Sequence, residues 1–439
     1  MSQLFDGCSC LESIPQLDTS NVADMEAMFY SCNSLTEIPL LNTGNVTNMK
    51  WMFSDCYSLT SIPPLNTNNV TDMTGMFEYC FSLTSVPQLD TSNVTTMDWM
   101  FANCHSLTSI PSLNTRNVTS MSYMFYDCKS LKAIPQLNTN NVADMNHMFS
   151  SCESLTVIPL LNTNKVTDMG GMFTNCTSLT TVTQLDTSNV TDMDSMFRGC
   201  KSLATIPQLD THNVTNMRLI FGDCFSLFEI PKLDTSNVTD MSYMFNGCES
   251  LIEIPQLDTS NVTDMTSIFS GCKSLLFVPE LDTSNVINMF SMFNNCLYLI
   301  SIPKLNTKHV VDMRYMFNKC SSLATIPLMN TENVTDMSGM FHSCYSLESI
   351  PALNTSNVKY MSGMFIFCSS LETINMYGMK VSFDLRWSTK LSTAEINKIF
   401  RNCGQAIPGA TITLPDTGAA KAADTSIVKI KGWKVCFNK

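Results

Sequence analysis

Charge is scarce in this sequence. Only 14% of its 439 residues are Asp, Glu, Lys or Arg, against about a quarter in ordinary globular domains. The balance is acidic, at net −13, and Lys and Arg are scattered. Without a basic stripe to follow a phosphate backbone, nucleic acid is excluded as a partner. No apolar run approaches the ~18 residues of a membrane span. The opening MSQLFDGC lacks the basic and apolar stretches of a secretory signal. Histidine is rare too: His105, His147, His212, His309 and His342 fall at unrelated places and pair with no unique Ser, Cys or carboxylate. There is no P-loop, GxGxxG, HExxH or GxSxG pattern. No residue set for catalysis is visible, and no cofactor is expected.

What the chain has is a clock. Phe stands at 5, 29, 53 and every 24 residues to 365; Cys does the same from 8 to 368, and Leu from 11 to 371. Val recurs from 22 to 358 and Thr from 19 to 355. A fixed period in this range is the signature of a solenoid, in which each coil buries its apolar residues only against its neighbours. The expected architecture is about sixteen coils over residues 1–374, the first incomplete and the last degenerate. Residues 375–439 leave the period and are expected to form a small α/β module capping the last coil. Met1 is in register with Met25 and Met49, so the chain begins part-way through a coil.

One unit, Lys232 to Pro255, reads K-L-D-T-S-N-V-T-D-M-S-Y-M-F-N-G-C-E-S-L-I-E-I-P. Leu233, Val238, Met241, Met244, Phe245, Cys248, Leu251 and Ile254 mark the classes that stay apolar. Leu251–Pro255 reads as a short strand closed by proline, stacking into a parallel ladder. From Val238 to Cys248 the apolar spacing is helical, with Asn237 placed as an N-cap. The alternative is that Asn-Val-Thr makes a second short strand and only Met-Phe-x-x-Cys is a helical turn. The L-D-T-S-N link is turn chemistry. Asn occupies the Asn237 class in thirteen of fifteen units, Lys165 and His309 being the exceptions. That points to an asparagine ladder satisfying buried backbone groups. The alternating Asp and Asn of the Asp18 class offer hard oxygen ligands for calcium, but match no known loop, so no metal is assigned.

Sixteen of the nineteen cysteines follow the period. Stacked coils put their Cα atoms within disulfide range, yet side chains in a column run parallel rather than facing. Buried free thiols are expected, with some paired rungs as the alternative. No CxxC or Cys/His spacing suggests zinc.

The motifs L-x-x-I-P, M-F-x-x-C-x-S-L and D-T-S-N-V-T-D-M resemble those of the BspA-like leucine-rich repeat surface proteins of bacteria. The resemblance covers about 85% of the chain. The tail segments W-S-T-K-L-S-T-A-E-I-N-K-I-F (387–400), T-I-T-L (411–414) and K-G-W-K-V (431–435) resemble the module that often closes such repeats. It implies a leucine-rich-repeat-like solenoid with short parallel strands and short helical turns. It further implies display on a cell surface, secretion or mounting on a virion, and binding of a host or partner protein or glycan. A structural role in a phage tail, or self-assembly, is the alternative. The I-P-x-L link is tighter than the commoner family spacing.

Binding specificity can reside only in variable outward classes. Two after the first Met stand Trp51, Trp99, Tyr123, His147, Tyr243 and Tyr315; just after the ladder Cys stand Tyr57, Phe81, His105, Phe225 and Tyr345. Large aromatics at such places are the usual anchors of an interface. The candidate binding residues are Trp51, Tyr57, Phe81, Trp99, His105, Tyr123 and Tyr126. The competing reading is half-buried aromatics covering coil edges.

Overall fold

A computed structural model describes residues 1–437. The chain resolves into two compact units, Met1–Val214 with Asp223–Phe225, and Thr215–Gly222 with Ser226–Lys439. Both are built from the same coil.

Backbone hydrogen bonds define that coil. In the M-x-x-M-F-x-x-C segment, alternate N–H groups point in different directions. Ala27, Phe29 and Ser31 donate to the carbonyls of Lys50, Met52 and Ser54 in the next coil, each at 2.9 Å. Met28, Tyr30 and Cys32 donate back three residues within their own coil, to Met25, Ala27 and Phe29. The expected turn is present, but it is not α-helical. Ala27 and Ser31 have φ of 50° and 55°. Each is the third residue of a four-residue turn, the position where a type II turn requires positive φ. The same two classes are left-handed along both units, through Trp51 and Asp55 to Ser343 and Phe367.

The Val-Thr-Asp segment forms the second strand foreseen as the alternative, reduced to a single residue. Asp24 bridges Asn48, Asn48 bridges Asp72, and so on in parallel, with Thr47 N–H donating to Ala23 O at 2.9 Å. Asn237-class residues do not cap a helix. Asn45, Asn69 and Asn93 donate Nδ2 to the preceding coil's carbonyls at 2.7–2.8 Å, from exposed positions rather than buried ones. Lys165 substitutes by donating to Asn141 Oδ1 at 2.8 Å. Thr43 sits under the turn, its hydroxyl donating to Asn66 O and accepting from Asn66 N–H, both at 2.8 Å.

The S-L-x-x-I-P ladder is weaker than its sequence suggests. Thr60 N–H reaches Thr36 O at 3.4 Å and Thr84 N–H reaches Thr60 O at 3.3 Å. Proline then removes the next donor. Among the described residues, regular pairing appears only at the last rung: β1 (Ser349–Ile350) pairs in parallel with β2 (Thr373–Ile374), and Asn375, in the proline class, donates to Ile350 O at 3.1 Å.

Inside each unit the clock residues stack. Phe5 to Phe197 form one column with centroids 5.4–5.8 Å apart and rings within 9° of parallel. Phe221 to Phe365 form another at 5.6–6.3 Å. Each ladder thiol from Cys32 onward donates to the carbonyl of the Phe 27 residues earlier; Cys80 reaches Phe53 O at 3.2 Å and Cys344 reaches Phe317 O at 3.0 Å. Burial holds these thiols protonated, Cys32 pushed up to about 11 and Cys176 to about 12.

In the tail, β3 (Phe383–Asp384), β4 (Thr411–Leu414) and β5 (Lys434–Phe437) form a parallel sheet in the order β3-β4-β5. Helix α1 (Thr393–Asn402) begins at Ser392, whose hydroxyl accepts from Glu395 N–H at 3.2 Å. It buries Ile396, Ile399 and Phe400. Two short helices complete the tail, α2 (Gly418–Lys421) and α3 (Ser426–Lys429). Glu395 Oε1 accepts from Ile374 N–H at 2.8 Å, tying α1 to β2.

Phe149 is fully buried between Phe125 and Phe173. Phe149→Ala is expected to cost roughly 3–5 kcal/mol. Because solenoid stability approximates a nearest-neighbour sum, calorimetry should show the loss as early melting of part of the transition. Unchanged unfolding would refute the assigned inner face.

Candidate functional site

The sequence candidates separate into two stacks and one isolated ring. Trp99, Tyr123 and His147 come from three successive coils and lie face to face, at 3.9 Å and 4° and then 4.8 Å and 3°. Tyr126 leans against both Trp99 and Tyr123, at 6.2 and 5.6 Å. One class away, Tyr57, Phe81 and His105 stack at 4.9 and 4.7 Å. Trp51 joins neither stack; Lys50 Nζ stands 4.2 Å over its ring. All seven candidates belong to the first unit. Tyr57 is exposed, and the other six are half-buried.

The class that carries Trp51, Trp99 and Tyr123 is a left-handed one, with φ of 54°, 59° and 56°. Such a conformation favours glycine. Glycine takes it at Gly75 and Gly171, where the preceding coil's ring lies on the bare backbone. A Cβ on Gly75 would stand 2.3 Å from Trp51 Cδ1, and one on Gly171 would stand 2.4 Å from His147 Nε2. Gly339 likewise lies under the Tyr315 ring, so at these three places the glycine has a packing reason: the ring of the preceding coil leans over it.

Residues between the stacks went unnoticed in the sequence. Tyr79 stands edge-on to Phe81 at 5.9 Å. It occupies the second left-handed class, which elsewhere holds Ser, Asp, Asn, Gly and a few larger residues, so its break with the pattern was the available signal. One coil on in that class is Asn103, 7% exposed, with its Nδ2 unpartnered. The next is Asp127, whose Oδ2 lies 2.7 Å from His105 Nε2 and 3.5 Å from Lys129 Nζ. Asp55 accepts from the Tyr57 hydroxyl at 3.1 Å, and its charge raises the Tyr30 phenol above its ordinary value. Burial, reinforced by Asp55, pushes the Glu78 carboxyl up to about 7. Burial likewise raises Tyr79 and Tyr123 and lowers His147. The surface is aromatic, acidic and carries one buried, unused amide donor.

A shallow groove of about 660 Å³ follows the turns that include Leu137, Asn138 and Thr139, and none of the seven candidates lines it. Among the described residues no three His, Cys, Asp or Glu side chains gather to hold a metal ion. No helix among them is long and apolar enough to cross a membrane.

The repeats match a family described as Mycoplasma protein of unknown function, DUF285, in seven overlapping segments from 1–109 to 298–398. The chain belongs to the DUF285 family. No curated protein matches it. Among solved structures, the DUF285 chain is similar to a leucine-rich cell surface protein from Faecalibacterium prausnitzii, at 21% identity, 72% of this chain, 83% of that one and a TM-score of 0.37. It is similar to a leucine-rich repeat protein from Eubacterium ventriosum at 19% identity, 77% and 90% coverage and 0.42. An internalin from Listeria monocytogenes follows at 14%, 73% and 88%, and 0.24. At these scores the likenesses do not decide the fold; the repeat geometry of the DUF285 coils does.

Glu78 yields a pH test. Its carboxyl is raised from 4.5 to about 7 in the folded protein. The protonated form is therefore the one that favours folding. Its contribution is complete below pH ~4.5 and is lost as pH rises through about 7. Between pH 5 and pH 8 the melting temperature of the wild type should fall relative to that of Glu78→Gln, which stays neutral. A constant difference between the two proteins across this range would show that the carboxyl is not held protonated.

Proposed function

We propose that this chain is a non-enzymatic binding protein of the BspA-like kind, displayed on a bacterial surface, that recognises a protein or glycan through the aromatic face around Trp99. The observation that carries the reading is the pair of ring stacks, Trp99–Tyr123–His147 and Tyr57–Phe81–His105. Asp55, Glu78 and Asp127 supply acceptors, and the ring stacks supply rigid apolar area with few rotamers to freeze. Acceptors and rings together fit a hydroxyl-bearing glycan best.

The repeats set the surface, and residues 375–439 serve as the cap. Met376 and Met379, just past the last Phe and Cys of the clock, are each no more than 2% exposed, and the Glu395 bond to Ile374 fixes α1 at that end.

A screen of the full chain against a glycan array supplies the ligand. Trp51→Ala with Trp99→Ala should then weaken binding at least tenfold while the circular dichroism of the fold is retained. Unchanged affinity in the folded variant moves recognition off this face.

A further inference from the structure

The second unit carries a surface feature that the first lacks. In the first unit the class two before the Ile of I-P is threonine at Thr36, Thr60, Thr84, Thr108, Thr156 and Thr180. These threonines are exposed, and Thr36, Thr84 and Thr180 donate their hydroxyls back to the preceding coil at 3.3–3.4 Å. In four consecutive coils of the second unit the class turns apolar: Phe228, Ile252, Leu276 and Ile300. Phe228, Ile252 and Ile300 are 47%, 51% and 50% exposed. Leu276 N–H donates to Ile252 O at 3.3 Å, and Ile300 N–H to Leu276 O at 3.1 Å, which keeps the rungs aligned. Tyr298 and Phe277 beside them are 59% and 54% exposed. Single exposed apolar residues need no explanation. Four adjoining rungs that each replace a hydroxyl form a contiguous ridge, which marks an interaction surface.

We propose that this ridge pairs with the same ridge of a second copy of the chain, antiparallel, about a two-fold axis passing between the Ile252 and Leu276 rungs. The Glu249–Lys273 pair beside it fits this partner. An axis in the interface plane, perpendicular to the ridge, sets each sequence class over its own class while reversing the order of coils. Ile252 then meets Leu276 of the second copy, and Phe228 meets Ile300. In the flanking class, Glu249 falls over Lys273 of the second copy, and Lys273 over its Glu249. These two residues already pair within one chain, Lys273 Nζ to Glu249 Oε1 at 2.7 Å. The dimer therefore closes a four-membered ring of alternating charge beside the apolar ridge. A parallel arrangement about the other in-plane axis would not oppose the two charges in this way. The ridge spans only about 15 Å at strand spacing, which places the contact at the small, weak end of specific interfaces. This surface is distinct from the aromatic one and does not depend on the function proposed for it.

Sedimentation velocity of the full chain from 1 to 100 µM tests the pairing. A concentration-dependent monomer–dimer equilibrium is expected. Restoring the repeat residue in Phe228→Thr, Ile252→Thr, Leu276→Thr and Ile300→Thr together should weaken dimerisation at least tenfold. Thr36, Thr60 and Thr84 show that the coil accepts Thr at this place. Independently, Lys273→Glu should weaken the dimer at least fivefold, and adding Glu249→Lys should recover it. A wild type that stays monomeric at 100 µM overturns the proposal, as does a folded threonine variant that dimerises unchanged, or a charge-swapped pair that shows no recovery.

Discussion

The backbone hydrogen bond from one coil to the residue 23 further along is the constraint from which the rest follows. Ala27, Phe29 and Ser31 meet Lys50, Met52 and Ser54 through it, and within each unit the contact recurs coil after coil. Three consecutive bonds of this kind leave no tolerance for an inserted or deleted residue. That is why Phe, Cys, Leu, Val and Thr keep their period without a slip. The side chains then have little choice: identical residues fall on top of one another, and each class must stack on itself. Phenylalanine does so as offset parallel rings, a favourable aromatic arrangement. Cysteine is small enough to fit beneath and bonds the carbonyl of the Phe one coil back.

The same bonding pattern places strain on the outside. Sending alternate N–H groups to the next coil requires two left-handed residues per repeat, and most of these are not glycine. Left-handed backbone at a non-glycine residue costs of order 1 kcal/mol or more, and the stacked coils hold it in place. One of these two classes is where Trp51, Trp99 and Tyr123 sit, and the other is where Tyr79 and Asn103 sit. The positions most free to vary in side chain are thus those most fixed in backbone, which is a good arrangement for presenting rigid contact groups.

Much of this was legible in the sequence, and the failures have physical causes. The inner face followed directly from the period. The Met-Phe-x-x-Cys segment read as a helical turn because successive four-residue turns produce nearly the same apolar spacing as a helix. Only the sign of φ separates them, and non-glycine residues such as Ser31 and Asp55 gave no hint of it. The Asn237 class suggested a cap because Asn before a β-branched residue resembles one; its amide instead reaches sideways to the neighbouring coil. Trp99 and Phe81 were visible as aromatics on variable classes. Tyr79 and Asn103 were not, because their importance lies in what surrounds them rather than in their type.

The most direct test of the register is the reactivity of the cysteines. Native protein treated with a soluble maleimide and mapped by mass spectrometry should carry label at Cys8 and Cys10, which are exposed, and at Cys436, which is half-exposed. Cys32 through Cys368 should remain unlabelled free thiols until the protein is denatured, buried and held protonated by their surroundings. Rapid native labelling at several ladder positions, or disulfides between neighbouring rungs, would contradict the stacked coil.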